Sequence, residues 1–268
     1  MPRSVLSVAG SDSSGGAGIQ ADIKTIEAMG LFAQTAVTAL TAQNTTGVSA
    51  VAATEPQMVA AQIDVVFDDI VPDAVKVGMV PSGDVARTVA KRLRAHGARN
   101  IVVDPVMVAT SGAALAGDDA VSVETRELFC LASVVTPNIP EAEALLCLAG
   151  EKDPRIASEK EAERAARVLS ERFRCAFLVK GGHGSHDAND VLAVPEGDVR
   201  WFRGERVDNP NTHGTGCTLS SAIACGLARG LDLGEAVLAA KEYLTGCLRA
   251  GLDLGRGSGP LDHMWLHR

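Results

Sequence analysis

Apolar residues along this chain alternate between two spacings, and the alternation predicts the architecture. Val5-Leu6-Ser7-Val8-Ala9 is a short apolar run with the length of a buried strand. Gly10 to Gly18 is too glycine-rich for regular structure and predicts a loop. Ile19, Ile23 and Ile26 then recur at helical spacing up to Met29-Gly30, a helix with a glycine stop. Phe32 to Thr41 is β-rich and alternating, Gln43-Asn44-Thr45 breaks it, and Val48 to Ala53 reads as another strand. Pro56 opens a helix through Phe67, and Ala74 to Val77 is a buried strand ending at Gly78. Ser82 caps a helix to His96 that Gly97 stops. Ile101-Val102-Val103 ends in Asp104-Pro105. A loop over 106–117, with Ser111-Gly112 at its tip, leads to a helix over roughly 119–130.

The second half repeats the scheme. Val134-Val135 ends in Thr136-Pro137-Asn138, Pro140-Glu141 starts a helix, and Ser158 caps another to about Arg172. Ala176 to Lys180 is a strand leading into Gly181-Gly182-His183-Gly184, and 190–194 with 199–206 reads as an antiparallel hairpin turning at Glu196-Gly197-Asp198. Helices follow at about 216–229 and 234–250. The tail after Gly251 is broken by glycines, with Pro260 to Trp265 expected to return over the surface. Strands alternating with helices predict a mostly parallel sheet covered on both faces. No linker, repeat or low-complexity stretch divides residues 1–268, which read as a single domain. Asp104, Asn138, Lys180 and Asp208 fall at the C-terminal ends of predicted strands. That edge is where open α/β sheets bind ligands, although each residue alone also suits a cap or a turn.

Composition narrows the partners. Aromatics are only 3% of the 268 residues, so Ala, Val, Leu and Gly must fill the core. A net charge of −8 with no basic tract argues against nucleic acid or an anionic membrane as partner. No apolar run approaches the ~18 residues of a membrane span. The six cysteines (130, 147, 175, 217, 225 and 247) contain no CxxC pair, and Met1-Pro2-Arg3 runs straight into a strand. Free thiols in a reducing cytoplasm are expected, with every cysteine but Cys217 a small core residue.

Asn211-Thr212-His213-Gly214-Thr215-Gly216-Cys217-Thr218 stands where the apolar period of Leu219, Ile223 and Leu227 begins. Glycines there let backbone N–H groups approach an anion, and the helix N-terminus adds about half a positive charge. Cys217 at the same terminus is expected to have a lowered pKa. A plain glycine turn ahead of a core helix explains the local pattern equally well. If the anion is a phosphate, Mg²⁺ needs oxygen ligands. Asp104 and Glu141 both follow central strands, and Asn138 adds an amide; Glu141 also suits a helix's first turn in its own right. Lys180 precedes Gly181-Gly182 as a point charge for nucleotide phosphates, or as a snorkelling lysine at a strand end. No GxxxxGK[ST], in-frame GxGxxG or GxSxG is present, and His183, His186 and His213 lack a metal-ligand spacing.

Segments spread along the chain resemble bacterial hydroxymethylpyrimidine/phosphomethylpyrimidine kinases of the ribokinase-like superfamily. They are Val8 to Asp22, Thr38 to Thr45, Lys76-Val77-Gly78-Met79, Val103 to Ala109, Thr136-Pro137-Asn138 with Glu141, Val179 to His183, and Thr212 to Thr218. The resemblance implies a three-layer α/β/α sandwich with a mostly parallel central sheet. It also implies an ATP- and Mg²⁺-dependent kinase that phosphorylates 4-amino-5-hydroxymethyl-2-methylpyrimidine and then its monophosphate, for thiamine diphosphate synthesis. A homodimer is implied as well, with room for a monovalent cation. Gly10, Asp22, Gln43, Met79 and Val106 are then expected at the pyrimidine, and Asp104 and Glu141 at the metal. Lys180, Thr215 and Asn138 belong to the nucleotide side. Cys217, in the catalytic-base position, stands with Gly214 and Gly216 at the transferred phosphoryl group. A glutamine amide answers both the ring nitrogen and the amino group of an aminopyrimidine, as it does for adenine.

The chain departs from the family's frequent Ala-Lys-Ser-Gly-Asp at Ala109-Thr110-Ser111-Gly112-Ala113, which bears on loop closure. The tail after residue 250 is less securely matched. Pyridoxal kinase, or a dual-substrate enzyme, is the neighbouring alternative, and a pyrimidine-binding regulatory protein is the alternative from another class. Asp104, Glu141, Lys180 and Cys217 together favour an enzyme.

Overall fold

The computed structural model describes residues 3–107, 118–181 and 188–268. The loop positions 108–117, including Thr110 and Ala113, and Gly182, His183 and His186 lie outside the described residues. The strands are β1 (Ser4–Asp12), β2 (Phe32–Asn44), β3 (Gly47–Ala53), β4 (Ala74–Val77), β5 (Ile101–Val103), β6 (Val134–Val135), β7 (Ala176–Val179), β8 (Asp190–Ala193) and β9 (Val199–Phe202). They form one sheet in the order β3-β2-β1-β4-β5-β6-β7-β8-β9. Pairings from β2 through β1, β4, β5 and β6 to β7 are parallel; β3, β8 and β9 join antiparallel at the two edges.

The helices are α1 (Gly18–Ala28), α2 (Pro56–Asp69), α3 (Gly83–Ala95), α4 (Asp118–Glu127), α5 (Ile139–Leu148), α6 (Glu159–Phe173), α7 (Thr215–Ala228) and α8 (Leu233–Ala250). Strand alternation sorts them into two layers, because successive side chains leave a strand on opposite faces. Leu6, Val8, Ile101 and Val103 pack with α2 to α6 on one face, whereas Val5 and Val102 pack with α1, α7 and α8 on the other. The fold is therefore the expected α/β/α sandwich. Among the described residues, no helix is long and apolar enough to cross a membrane.

Four local expectations change. The glycine-rich stretch after Ala9 was expected to be irregular, but β1 continues through Gly10-Ser11-Asp12 with a register shift between Ala9 and Ser11. Asp12 holds that extension together. Its carboxylate accepts from the backbone N–H groups of Ser14, Gly16 and Ala17, so the chain turns around one side chain. Likewise β2 runs on to Asn44, because Gln43 and Asn44 pair with β3 across a tight hairpin. Within the tail, residues 261–263 do not lie over the surface. Leu261, Asp262 and His263 are 2–3% exposed, and Tyr243 Oη donates to the His263 carbonyl at 2.7 Å. Asp208 is exposed and lies beyond the end of β9 rather than at the parallel edge.

Candidate active site

The parallel strands deliver their C-terminal residues to one edge, and the chemistry gathers there. Asp104 follows β5 directly and is 2% exposed. Its Oδ1 lies 3.0 Å from Lys180 Nζ and accepts from Thr136 Oγ1 at 3.1 Å. Burial alone raises a carboxyl pKa, but here the Lys180 and Lys76 cations outweigh it and hold Asp104 below the usual carboxylate range. Lys180 is correspondingly held protonated against its own burial, mainly by Asp104 and Glu141. The pair is thus charged and largely dry. Removing either partner would leave an uncompensated buried charge, at a cost of about 3–5 kcal/mol.

α7 begins on this pair. Gly214 takes a left-handed φ of 86°, no side chain caps the helix, and a Cβ on Gly214 would collide with the Gly16 carbonyl oxygen. A Cβ on Gly216 would sit 3.3 Å from Asp104 Oδ2 and 3.4 Å from Lys180 Nζ. The first turn of α7, with half-buried Thr215, Gly216 and Cys217, therefore lies directly over a cation–carboxylate pair. Ser220, one turn on, reaches Asp104 Oδ2 at 3.5 Å.

Cys217 corrects an expectation. Burial pushes its thiol up to about 11, and Asp22 and Asp104 add to the rise; the Lys76 cation and the Gly18 N–H only partly oppose it. At this site the desolvation of a thiolate outweighs what a helix N-terminus and a nearby cation can offer it. Nor are all the other cysteines core residues: Cys175, Cys225 and Cys247 are buried, but Cys130 and Cys147 are exposed.

Glu141 and Asn138 first serve α5. Asn138 Oδ1 accepts from the Glu141 N–H at 2.9 Å while Glu141 Oε2 accepts from the Asn138 N–H at 2.8 Å, a reciprocal capping box. The helical reading of Glu141 thus holds, and the electrostatic one stands beside it. Burial pushes its carboxyl up to about 7, Lys180 pulls it down, and Asp104 raises it again. Glu124 on α4, absent from the sequence-based set, is also buried. Its carboxyl is raised well above normal by burial and by Glu141 and Asp104. No motif marks Glu124; only packing brings it here. An excess of carboxyl groups over cations at a sheet edge is the donor chemistry that suits Mg²⁺. Among the described residues, no three His, Cys, Asp or Glu side chains converge as a closed metal cage. A divalent ion held there would take its remaining oxygens from water and from phosphates.

The residues expected at the pyrimidine come from several elements. Gln43 lines a cavity of about 330 Å³ with Asn44, Thr45, Thr46, His213, Gly257 and Ser258. A larger cavity, about 400 Å³ between α4 and α6, contains none of the residues discussed. Gly10 and Met79 meet each other: a Cβ on Gly10 would lie 2.7 Å from Met79 Sδ, and Thr38 Oγ1 fixes the Met79 carbonyl at 2.7 Å. Val106 is half-buried just past Asp104, its N–H turning back to the Asp104 carbonyl. Asp22 is fully buried between the sheet and α7. It accepts from Lys76 Nζ at 2.9 Å on both oxygens, from Ser7 Oγ at 2.6 Å and from Ser221 Oγ at 2.8 Å. Lys76 is itself fully buried, and Asp22 keeps it charged against that burial. Sequence quoted Lys76 only as part of a motif, although a lysine inside a four-residue apolar strand was the available signal.

With this geometry in view, the comparisons carry weight. The chain matches the phosphomethylpyrimidine kinase family over residues 12–262. It belongs to that family. It is 47% identical over 268 residues to the hydroxymethylpyrimidine/phosphomethylpyrimidine kinase of Rhizobium meliloti, covering 98% of this chain and 97% of that protein. It is 48% identical over 265 residues to the thiamine biosynthesis bifunctional protein of Geobacter sulfurreducens, covering 98% of this chain but only 53% of that longer protein. Among solved structures, an ADP complex of Bacillus subtilis pyridoxal kinase superposes with a TM-score of 0.88 at 32% identity, covering 99% of each chain. The ribokinase-like architecture is thereby shared with kinases of two different vitamin rings.

Proposed function

We propose that this chain transfers the terminal phosphoryl group of Mg·ATP to the hydroxymethyl oxygen of 4-amino-5-hydroxymethyl-2-methylpyrimidine, and then converts the monophosphate to the diphosphate. One observation carries the reading: the Asp104–Lys180 pair lies under the open first turn of α7, at the strand edge that also ends in Asn138 and Glu141. Phosphoryl transfer depends mainly on positioning and on neutralising charge, and this edge supplies N–H donors, a fixed cation and carboxylates for a divalent ion. Asp104 and Glu141 would hold Mg²⁺, which would supply positive charge to offset the negative charge of the phosphates. Lys180, Thr215 and Asn138 face the nucleotide, while the N–H groups around Gly214 and Gly216 receive the transferred group. Gln43 reads the pyrimidine, with Gly10, Met79 and Val106 packing around the ring. Asp22 supports that pocket from beneath through Lys76.

Cys217 stands beside the acceptor oxygen. A thiol near 11 is a reluctant base, so its contribution is expected to be modest and to matter only where the acceptor is an alcohol. The same proposal places the enzyme in the cytoplasm, consistent with its free thiols. It also makes the enzyme a homodimer: β3 is an edge strand exposed along most of its length, with Val51 44% and neighbouring Leu40 59% exposed. Sedimentation at micromolar concentration tests this; a monomer there removes the dimer and leaves the chemistry intact.

The likeness to pyridoxal kinase favours one second reading, phosphorylation of pyridoxal. Purified protein incubated with Mg·ATP and each of the pyrimidine alcohol, its monophosphate and pyridoxal, with products identified by mass spectrometry, separates the two. Diphosphate formation is the expected result. Turnover of pyridoxal alone replaces the first reading with the second, and pyrimidine binding without turnover identifies a regulatory protein.

A further inference from the structure

His213 is 5% exposed and belongs to no ligand set described above. Its ring is wedged against Gly16, where a Cβ would collide with ring carbon Cδ2 and touch Pro260 Cβ at 3.3 Å. Nε2 lies 2.8 Å from Asp12 Oδ2 and 3.5 Å from the Gln43 amide nitrogen, whose Oε1 stands 3.2 Å from Thr41 Oγ1. Counting donors around these three side chains fixes where the hydrogens are.

Asp12 receives five contacts. Oδ1 takes the Ser14 N–H and hydroxyl, both at 2.8 Å, and Oδ2 takes the Gly16 N–H at 3.1 Å, the Ala17 N–H at 2.8 Å and His213 Nε2. An ionised carboxylate surrounded in this way only accepts, and Asp12 is held at about 2 in spite of its burial, by His213, Ser14 and Ala17. His213 Nε2 therefore carries a hydrogen and donates it. An amide NH₂ on that side meets the N–H donor to donor, so hydrogen counting turns the amide over and assigns its oxygen to the His213 side. The other end agrees. Thr41 Oγ1 gives its only hydrogen to the Ser11 carbonyl at 2.8 Å, so a Gln43 oxygen 3.2 Å away would face it lone pair to lone pair, and hydrogen counting puts the NH₂ group there instead. Amide ends are distinguished by their partners rather than by shape, and here both partners orient the group the same way. The backbone adds to the restraint, since Ser13 Oγ accepts from the Gln43 N–H at 2.8 Å and donates to its carbonyl at 2.7 Å.

We propose that His213, held by Asp12, is a positioning residue that locks the Gln43 amide with its oxygen toward His213 and its NH₂ toward Thr41, so that the pocket admits a 4-aminopyrimidine and rejects its 4-oxo counterpart. This rests on the reading that Gln43 faces the pyrimidine. One lone pair and one N–H of the amide remain for a ligand, the set that a ring nitrogen with a neighbouring amino group complements. The 4-oxo ring presents the reverse, an N–H beside a carbonyl. A freely turning glutamine would rotate by half a turn and accept either ring. With His213 and Thr41 in place that turn puts two donors face to face at His213 and two acceptors face to face at Thr41, and the mismatch becomes selectivity against the wrong ring.

The test compares the 4-amino and 4-oxo forms of 5-hydroxymethyl-2-methylpyrimidine, by dissociation constant and by kcat/KM, in wild type, His213→Phe, His213→Gln and Thr41→Val. Wild type should prefer the amino ring strongly. His213→Phe, which keeps a flat ring but no donor, should shrink the preference at least tenfold through KM with kcat little changed. His213→Gln, which restores an N–H, should recover part of it. Thr41→Val loosens the amide from the other end and should shrink the preference as well, which covers the case of a His213 variant that does not fold. A preference unchanged in every folded variant, with both rings weakened in parallel, overturns the lock and leaves the kinase reading standing. Wild type that turns over no pyrimidine overturns both.

Discussion

The thiol of Cys217 lies at a helix N-terminus, with the Lys76 cation favouring the thiolate and Asp22 and Asp104 opposing it. Desolvation is the largest of these influences, so the group is neutral near pH 7 and helps only where a proton must leave. A phosphate monoester has a second pKa near 6 and is already mostly dianionic, whereas an alcohol is not. Cys217→Ala should therefore lower kcat/KM for the pyrimidine alcohol by about 100-fold, the low end of what general bases contribute, and for the monophosphate by less than about 10-fold. Equal losses on both would remove the base role. Asp12 offers a pH test. Its folded pKa, about 2, lies below the ordinary 3.8, so its stabilisation is complete above pH 3.8 and lost as pH falls toward 2. The gap corresponds to about 2 kcal/mol. Thermal melts between pH 2 and 6 should show an acid limb in wild type that is weaker in Asp12→Asn, which should also be less stable at neutral pH. At this scale residue identities were legible as motif members, but their partners were not. Neither the neutrality of Cys217 nor the pairing of Asp12 with His213, 201 residues apart, follows from local sequence.

Among the elements, α7 and α5 begin in opposite ways. α5 has its first N–H groups occupied by Asn138 and Glu141, whereas α7 starts at a left-handed glycine with no side-chain cap. Termini left open in this manner are where anions bind. Gly216 separates stability from function there. Alanine is the better helix former by about 1 kcal/mol, while its methyl group would stand 3.3–3.4 Å from Asp104 and Lys180. Gly216→Ala should melt within a few degrees of wild type and lose about 100-fold or more in kcat/KM, read by calorimetry alongside steady-state kinetics. A large drop in melting temperature instead would make the glycine structural. Periodicity found every strand and helix named above, because each buried face is mostly apolar even where a residue such as Asp22 or Lys76 interrupts it. It missed where β1 and β2 end, because those residues are held by a carboxylate and by hairpin pairing rather than by hydrophobic alternation.

Across the whole molecule, the C-terminal segment is tied to the β2–β3 turn and to the stretch ahead of α7, on the side of the edge proposed for the pyrimidine. The N–H groups of Arg256 and Gly257 donate to Thr45 Oγ1, and the Gly259 N–H donates to Asn211 Oδ1 at 2.9 Å. The His213 N–H reaches the Gly259 carbonyl, and Leu261 is buried against the α7–α8 layer. Glycines break up this stretch, so sequence gave no period from which to predict its burial. None of these contacts involves Asp104 or Lys180, which makes the segment's influence separable from the nucleotide side. A Cβ on Gly257 would collide with the Thr45 carbonyl oxygen and push the segment off the β2–β3 turn. Gly257→Ala should raise the pyrimidine KM by about tenfold while the ATP KM stays within about twofold, as expected when only the groups ordering one ligand are disturbed. Leu261→Ala, which empties a core position instead, should cost about 2–5 kcal/mol in denaturant melts with smaller changes in either KM. If Gly257→Ala raised both KM values together, the segment would be a general clamp on the fold, and the division of the edge into a pyrimidine side and a nucleotide side would lose its support.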